Sequence, residues 1–434
     1  MGYTAPAVKP PAMSDHFARR SPSVIRLAQI EFMKRRDGVE AINLAIGNVS
    51  LPMHPAMSRR MRALGKGSPH ARGVVRYTPS VGTEEANRAF LNTIAAGGFP
   101  TRGLYSQVTD GGSQAMELAV LGTCGRVKGR HRPLMLIDPH YTNYIAMAQR
   151  TGVRMVSIRR ELRDDGTFTL PDFGDIERAL RRHRPGAIVV IPYDNPSGQF
   201  TPQRDLDRLA RLATTHDCWI VSDEAYRQLV YTGERPSSVW GASAARGRRI
   251  SIESTSKVWN ACGLRVGALV TDNARFHEQS VAEYTSNLCA NALGQHIFGA
   301  IAHEPASRLR GWFDRQRAYY RKLMGDFARA LQRRIPGIVV SRPDAALYSV
   351  VDVRKVARPG FDAMEFVRYC ARRGRARVGG RELTLLVAPM EGFFLSRRDL
   401  AKTMMRLAYV ESPERMRLVP ELFERLLRGF ERGD

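Results

Sequence analysis

From about residue 105 the sequence alternates short apolar runs with longer amphipathic stretches, and this alternation is the feature that most constrains the fold. Strands that alternate with helices at this spacing predict an α/β domain with a mainly parallel, doubly wound sheet and helices on both faces. The runs that we expect to form its strands lie at residues 134–138, 153–158, 187–191, 218–223, 250–252 and 266–270.

After about residue 305 the pattern changes to long charged helices, a strand-like run at residues 346–352 and a terminal helix from Pro413. This change predicts a smaller α+β domain, which the N-terminal segment would complete. We therefore expect three divisions: residues 1–65 as an N-terminal arm and part of the small domain, residues 66–305 as the large domain, and residues 306–434 as the C-terminal small domain.

The formal net charge of +25 would by itself favour an anionic partner such as nucleic acid. The arginines are dispersed over the predicted helices, however, and do not form one basic arm with interleaved aromatic residues. We therefore interpret the charge as a solvated surface and expect no specific nucleic-acid partner.

The cysteines and the hydropathy pattern indicate the cellular setting. Five cysteines, an odd number without a Cys-x-x-Cys pair, argue against a disulfide framework or a zinc cluster. No unbroken apolar stretch reaches the roughly 18 residues that a membrane span needs. We expect a cytoplasmic protein that neither binds a structural metal nor associates with a membrane.

Unusual polar and aromatic residues follow several of the predicted strands. Tyr141, Asn195, Asp223 and Lys257 each come at or just after the end of an apolar run. Ligands of open α/β sheets bind outside the carboxyl ends of the strands. These four residues are therefore expected at one rim of the sheet.

Lys257 is conspicuous because the chain contains only eight lysines, and no other lies between Lys128 and Lys322. A deprotonated lysine amine is a nucleophile, whereas guanidinium stays protonated and unreactive. A lysine that holds an aldehyde cofactor with a pyridine ring would need a carboxylate at the ring nitrogen and hydrogen-bond donors at the ring oxygen. Asp223 fits the first role, and Asn195 and Tyr226 fit the second, although each of these residues could instead be structural.

A phosphate on such a cofactor would need a helix N-terminus with small residues. The stretch around Gly112 and Ser113 provides a strand, a glycine-rich turn and an apolar helix start. Arg265 could add a fixed charge, and Ser254 or Ser256 could add a hydroxyl group. As an isolated signal, such a glycine-rich turn is more often an ordinary helix cap than a phosphate site.

Six motifs in this order resemble the fold-type I pyridoxal-phosphate enzymes, specifically the class I/II aminotransferase family, over residues 43–427. They are Gly112-Ser-Gln, Pro139-His-Tyr, Asn195-Pro-Ser-Gly, Asp223-Glu-Ala-Tyr, Ser254-Thr-Ser-Lys and Gly263-Leu-Arg-Val-Gly. The resemblance implies an aspartate-aminotransferase-like fold in which the large domain binds pyridoxal 5'-phosphate. One departure is the segment at residues 389–403, where a longer charged stretch replaces the usual glycine-rich lead into the next strand.

The resemblance also implies roles for individual residues. Lys257 would bond covalently to the cofactor and move the substrate proton, Asp223 would pair with the ring nitrogen, and Tyr141 would stack on the ring. The phosphate ligands implied are Gly112, Ser113, Gln114, Ser254, Ser256 and Arg265. Tyr77 would reach the phosphate of a neighbouring subunit, which implies a homodimer with shared active sites. Arg406, Gly47 and Asn48 would bind the substrate, with Arg406 on its carboxylate.

The implied activity is transfer of an amino group between an L-amino acid and a 2-oxo acid by a ping-pong mechanism. Two alternatives stay open. The same residues serve other pyridoxal-phosphate reactions on amino acids, such as oxidation, elimination, replacement or decarboxylation. The second alternative is a non-enzymatic regulator that binds this cofactor. It is disfavoured because the roughly 40 residues before Asn43 are few for a DNA-binding domain.

Overall fold

The computed structural model describes residues 11–433; the start of the predicted arm, residues 1–10, lies outside the described residues. The helices are α1 Asp15–Ala18, α2 Val24–Phe32, α3 Pro55–Arg62, α4 Glu84–Ala96, α5 Gly112–Thr123, α6 Asn143–Arg150, α7 Phe173–His183, α8 Gln203–Thr215, α9 Ala274–Tyr284, α10 Ala292–Gly299, α11 Ala306–Arg334, α12 Ala363–Arg372 and α13 Pro413–Arg432. The strands are β1 Glu40–Asn43, β2 Tyr105–Thr109, β3 Gly125–Val127, β4 Arg130–Arg132, β5 Leu134–Asp138, β6 Met155–Arg159, β7 Ala187–Val190, β8 Trp219–Asp223, β9 Arg249–Ser254, β10 Gly267–Thr271, β11 Val339–Val340, β12 Tyr348–Asp352, β13 Ala376–Val378, β14 Arg381–Leu386, β15 Ala388–Pro389 and β16 Met404–Ala408.

A seven-stranded sheet in the order β2-β10-β9-β8-β7-β5-β6 forms the centre of the protein. Successive side chains along its strands enter different cores: Leu134 and Leu136 belong to a buried cluster with residues of α5 and α6, whereas Met135 belongs to one with residues of α7 and α8. This period of two is what a strand covered on both faces requires. The predicted fold, a mainly parallel sheet with helices on both faces, is confirmed.

Strand β10 is the exception to the parallel arrangement, since it pairs antiparallel with both β9 and β2. The sequence pattern did not distinguish it from the other runs. Residues 255–266, which connect β9 to β10, contain only turns and one short 3₁₀ helix. A parallel return is usually made through a crossover helix, and this connection contains no α-helix, so the chain turns back beside β9.

β3 and β4 form a separate two-stranded sheet, and the other remaining strands combine the two ends of the chain. β1 pairs parallel with β14 in a three-stranded sheet, and β11, β12, β16 and β15 form a four-stranded one. α2 packs against α12. The N-terminal segment thus lies with the C-terminal part, while the domain boundaries at residues 65 and 305 stay a prediction. Among residues 11–433, no helix is both long and apolar enough to cross a membrane.

Candidate active site

A cleft opens at the carboxyl ends of the central strands, beside the segment that follows β1 and the end of β16. Thirteen of the fifteen residues predicted from the sequence to form the site line this cleft: Gly47, Asn48, Gly112, Ser113, Tyr141, Asn195, Asp223, Tyr226, Ser254, Ser256, Lys257, Arg265 and Arg406. The expectation that strand ends meet at one rim therefore agrees with the geometry.

Lys257 lies in the turn after β9, and its amine donates a hydrogen bond to the Gly47 carbonyl. Its Nζ is also 3.8 Å from Sγ of Cys262. A Cβ on Gly47 would overlap the Tyr348 hydroxyl and would lie 3.2 Å from Lys257 Nζ. The space around the amine thus depends on a residue without a side chain at position 47.

Asp223 ends β8 and accepts hydrogen bonds from the Tyr144 hydroxyl and, at 3.2 Å, from the Ala225 amide. Burial raises the pKa of its carboxyl group, with the Tyr144 hydrogen bond acting in the opposite direction. No Lys, Arg or His forms an ion pair with Asp223 among residues 11–433. A buried carboxylate without an ion-pair partner would be stabilised by a cationic group bound next to it.

Asn195, Tyr226 and Tyr348 form a hydrogen-bonded set that lines the cleft. Asn195 Nδ2 donates to the Tyr226 hydroxyl at 3.2 Å, and the Tyr226 and Tyr348 hydroxyls lie 2.9 Å apart. Burial holds the pKa of Tyr226 well above its usual range, so the phenol stays a protonated donor. Tyr141 also lines the cleft, and its hydroxyl accepts a hydrogen bond from Asn143 Nδ2 at 3.0 Å. Burial raises the pKa of Tyr141 to about 12.

The N-terminus of α5 is shaped to receive an anion. Gly111 precedes the helix with a φ of +77° and provides no side-chain cap, so the first amides of α5 have no such partner. A Cβ on Gly111 would lie 2.6 Å from Nη2 of Arg265. Ser254 and Ser256 line the same cleft. The exposed guanidinium of Arg265 therefore rests directly against the backbone of this turn.

Arg406 projects from β16 and is 1% exposed. Nη1 donates to Asn195 Oδ1 at 3.1 Å, and Nη2 donates to the Ala45 carbonyl. Its Nε is buried without a hydrogen-bond partner among the described residues. A buried guanidinium with donors left over is suited to a carboxylate, which accepts two parallel N–H bonds.

Two predicted residues lie outside the cleft. Gln114 is half-buried on the first turn of α5, and Tyr77 is 77% exposed. The role predicted for Tyr77 lies in a neighbouring subunit, so it stays a prediction, as does the phosphate contact of Gln114.

Sequence reasoning missed several residues of the cleft. Tyr144 follows Tyr141 by three residues at the start of α6, and this helical spacing could have indicated it. Tyr348 lies far in the sequence from the six motifs, and no neighbouring residues indicated that it belongs to the site. Other lining residues that were missed are Ser23, Ile25, Arg26 and Gln29 from the α2 region, together with Asn143, Cys262, Val410 and Glu411.

Comparisons with known proteins agree with this geometry. The aspartate/prephenate aminotransferase of Thermus thermophilus is 26% identical over 402 residues, which cover 91% of this chain and 92% of that protein. The structure of Thermus thermophilus aspartate aminotransferase with maleate has a TM-score of 0.79 at 23% identity, covering 96% of this chain and 100% of the other. The structure of N-succinyldiaminopimelate aminotransferase from Mycobacterium tuberculosis has a TM-score of 0.79 at 20% identity, covering 96% of this chain and 100% of the other.

The fold is therefore that of the fold-type I, aspartate-aminotransferase-like enzymes. The aminotransferase class I and II family profile matches residues 39–394, more than half of the sequence, and the chain belongs to this family.

Proposed function

We propose that this protein binds pyridoxal 5'-phosphate and transfers an amino group between an amino acid and a 2-oxo acid. The observation that carries the proposal is the convergence of three groups from separate segments of the chain on one cleft: the Lys257 amine, the buried Asp223 carboxylate and the Arg406 guanidinium. The relatives that are named aminotransferases support the same reaction class.

The residues present fit this cofactor. Because Gly111 has no side chain, the Arg265 guanidinium can rest against this turn, beside the N-terminus of α5 that would hold the phosphate. Ser113, Ser254 and Ser256 would add hydroxyl groups, and Tyr141 would cover the ring. When bound, pyridoxal phosphate supplies an aldehyde carbon that can hold the substrate nitrogen and a ring that withdraws electrons from the substrate Cα.

The side chains of this chain then supply binding and proton transfer. Asp223 would hold the proton on the ring nitrogen, because a buried carboxylate stabilises a cation against it. Asn195 and Tyr226 would donate hydrogen bonds to the ring oxygen. Lys257, as a free amine, would remove the proton from the substrate Cα and would deliver it to the former aldehyde carbon, on the other side of the substrate nitrogen.

Arg406 would bind the substrate carboxylate through the N–H groups that it does not use for Asn195 and Ala45. Gly47 and Asn48 line the same end of the cleft. We also propose a cytoplasmic homodimer: all five cysteines are free thiols, and the exposed Tyr77 is available to a second subunit.

The holoenzyme incubated with a panel of L-amino acids tests the proposal. Suitable donors should discharge the absorbance of the bound aldehyde and yield one 2-oxo acid per site, and a second 2-oxo acid should restore the absorbance. Lys257→Ala and Lys257→Arg should abolish both changes, with the arginine variant controlling for charge. Ammonia release without an acceptor, or normal turnover by Lys257→Ala, would contradict transamination through Lys257.

A further inference from the structure

We propose that Phe393 is a positioning residue for Arg406, whose ring holds the guanidinium in the orientation that binds the substrate carboxylate. The inference rests on the proposed function. It concerns the segment at residues 389–403, whose sequence departs from the family pattern.

The contact is between buried groups. The guanidinium carbon of Arg406 lies over the Phe393 ring, 5.1 Å from its centroid, and over the Tyr348 ring, 4.5 Å from its centroid. Phe393 is 0% exposed and Tyr348 is 2% exposed. The attraction between a guanidinium and an aromatic face increases when water is excluded, so both rings should restrain this side chain strongly.

The rings restrain Arg406 without occupying its hydrogen-bond donors. A guanidinium carries five N–H groups in one plane. Asn195 Oδ1 and the Ala45 carbonyl each accept from one terminal nitrogen, and Nε has no partner among the described residues. An aromatic face contacts the plane of the guanidinium, so the remaining N–H groups stay available to a carboxylate.

Hydrogen bonds connect Phe393 and the residues after it to the rim of the central sheet. Its carbonyl accepts from the His140 amide at 2.8 Å. The amides of Leu395 and Ser396 donate to Asp138 Oδ2 at 3.1 and 3.2 Å. Asp138 is fully buried at the end of β5, three residues before Tyr141. The ring under Arg406 is thus placed by the same strand end that carries Tyr141 into the cleft.

The test compares Phe393→Leu with Phe394→Leu in the holoenzyme. Both phenylalanines are buried in the same segment, and the ring contacts of Arg406 are with Phe393 and Tyr348. Phe393→Met is the second variant, for use if the leucine variant does not fold. Calorimetric titration with an amino acid and with a 2-oxo acid reads carboxylate binding whether or not turnover follows.

We expect Phe393→Leu to weaken binding of both ligands about 5- to 30-fold, the range of a desolvated cation–π contact. The KM values should rise by the same factor, while kcat and the cofactor absorbance stay unchanged. Phe394→Leu should change none of these quantities. The half-reaction of n-butylamine, which has no carboxylate, should be equally fast in the wild type and in Phe393→Leu.

Equal losses for n-butylamine and amino acids, equal effects of the two leucine variants, or unchanged binding in Phe393→Leu would each overturn the inference. These outcomes are separable from the proposed function. If the wild type transaminates and the variants do not differ, only the role of Phe393 is wrong. If the wild type binds carboxylates through Phe393 but transfers no amino group, only the proposed function is wrong.

Discussion

The hydroxyl of Tyr144 donates a hydrogen bond to Oδ2 of Asp223, so a residue at the start of α6 holds the carboxylate at the end of β8. This hydrogen bond lowers the pKa of Asp223 against the stronger, opposing effect of burial. It therefore helps to keep the carboxylate ionised for a cationic ring nitrogen.

Replacing Tyr144 with phenylalanine should weaken cofactor binding by roughly 10-fold, about what a hydrogen bond to a charged group contributes. The dissociation constant from a spectral titration of the cofactor-free protein measures this. Tyr409→Phe is the control, because it removes a buried hydroxyl that bonds to Ser349 at 3.1 Å, outside the cleft. An unchanged affinity in Tyr144→Phe would show that Asp223 needs no such support.

Substituting alanine for Gly47 should lower kcat by about 10-fold or more, and should destabilise the fold by roughly 1–3 kcal/mol through overpacking. The new Cβ would overlap the Tyr348 hydroxyl and crowd Lys257 Nζ. Gly263→Ala is the matched control, because Gly263 lines the same cleft and a Cβ there meets nothing within 4 Å. If both variants keep full activity, the space around the amine is not critical.

Gly111→Ala should lose cofactor affinity by an order of magnitude or more, through backbone strain at positive φ and displacement of Arg265. Gly129→Ala separates the two causes, since Gly129 has a φ of +78° but open space around its Cβ position. Titration with inorganic phosphate and with the cofactor, together with thermal unfolding, measures both effects. Comparable cofactor affinity in the two variants would count against an anion site at this turn.

His54 should make the protein less stable as the pH falls. Burial lowers the pKa of this imidazole from 6.5 to about 4, with Glu304 opposing the shift and Arg315 adding to it. Between these two values the unfolded chain binds a proton that the folded chain does not, so stability declines as the pH drops through about 6.5 towards 4. By pH 4 the loss should be about 3 kcal/mol.

The variant His54→Asn tests this expectation because asparagine does not titrate and can still accept from the Ala56 amide, as His54 Nδ1 does at 3.2 Å. Its Tm should fall less than that of the wild type between pH 7 and pH 4. His183→Asn, at an exposed position, serves as the control. Parallel Tm curves for wild type and His54→Asn would refute the assignment.

Much of the fold and of the candidate site could be predicted from the sequence because both depend on local pattern. The alternation of apolar runs determined a doubly wound sheet, since a strand covered on both faces must be apolar throughout. Strand ends in such a sheet share one rim, so residues such as Asn195, Asp223 and Lys257 could be grouped from their positions alone. The scarcity of lysine then distinguished Lys257.

Only the tertiary structure decided how distant segments complete the cleft. Tyr348, Phe393 and Arg406 are brought together by packing between β12, β16 and the segment before it, and periodicity along one strand carries no information about such contacts. The direction of β10 followed from a connection that contains no crossover helix. Residue types thus determined the chemistry available to this protein, whereas long-range packing determined which groups touch and which donors of Arg406 remain free.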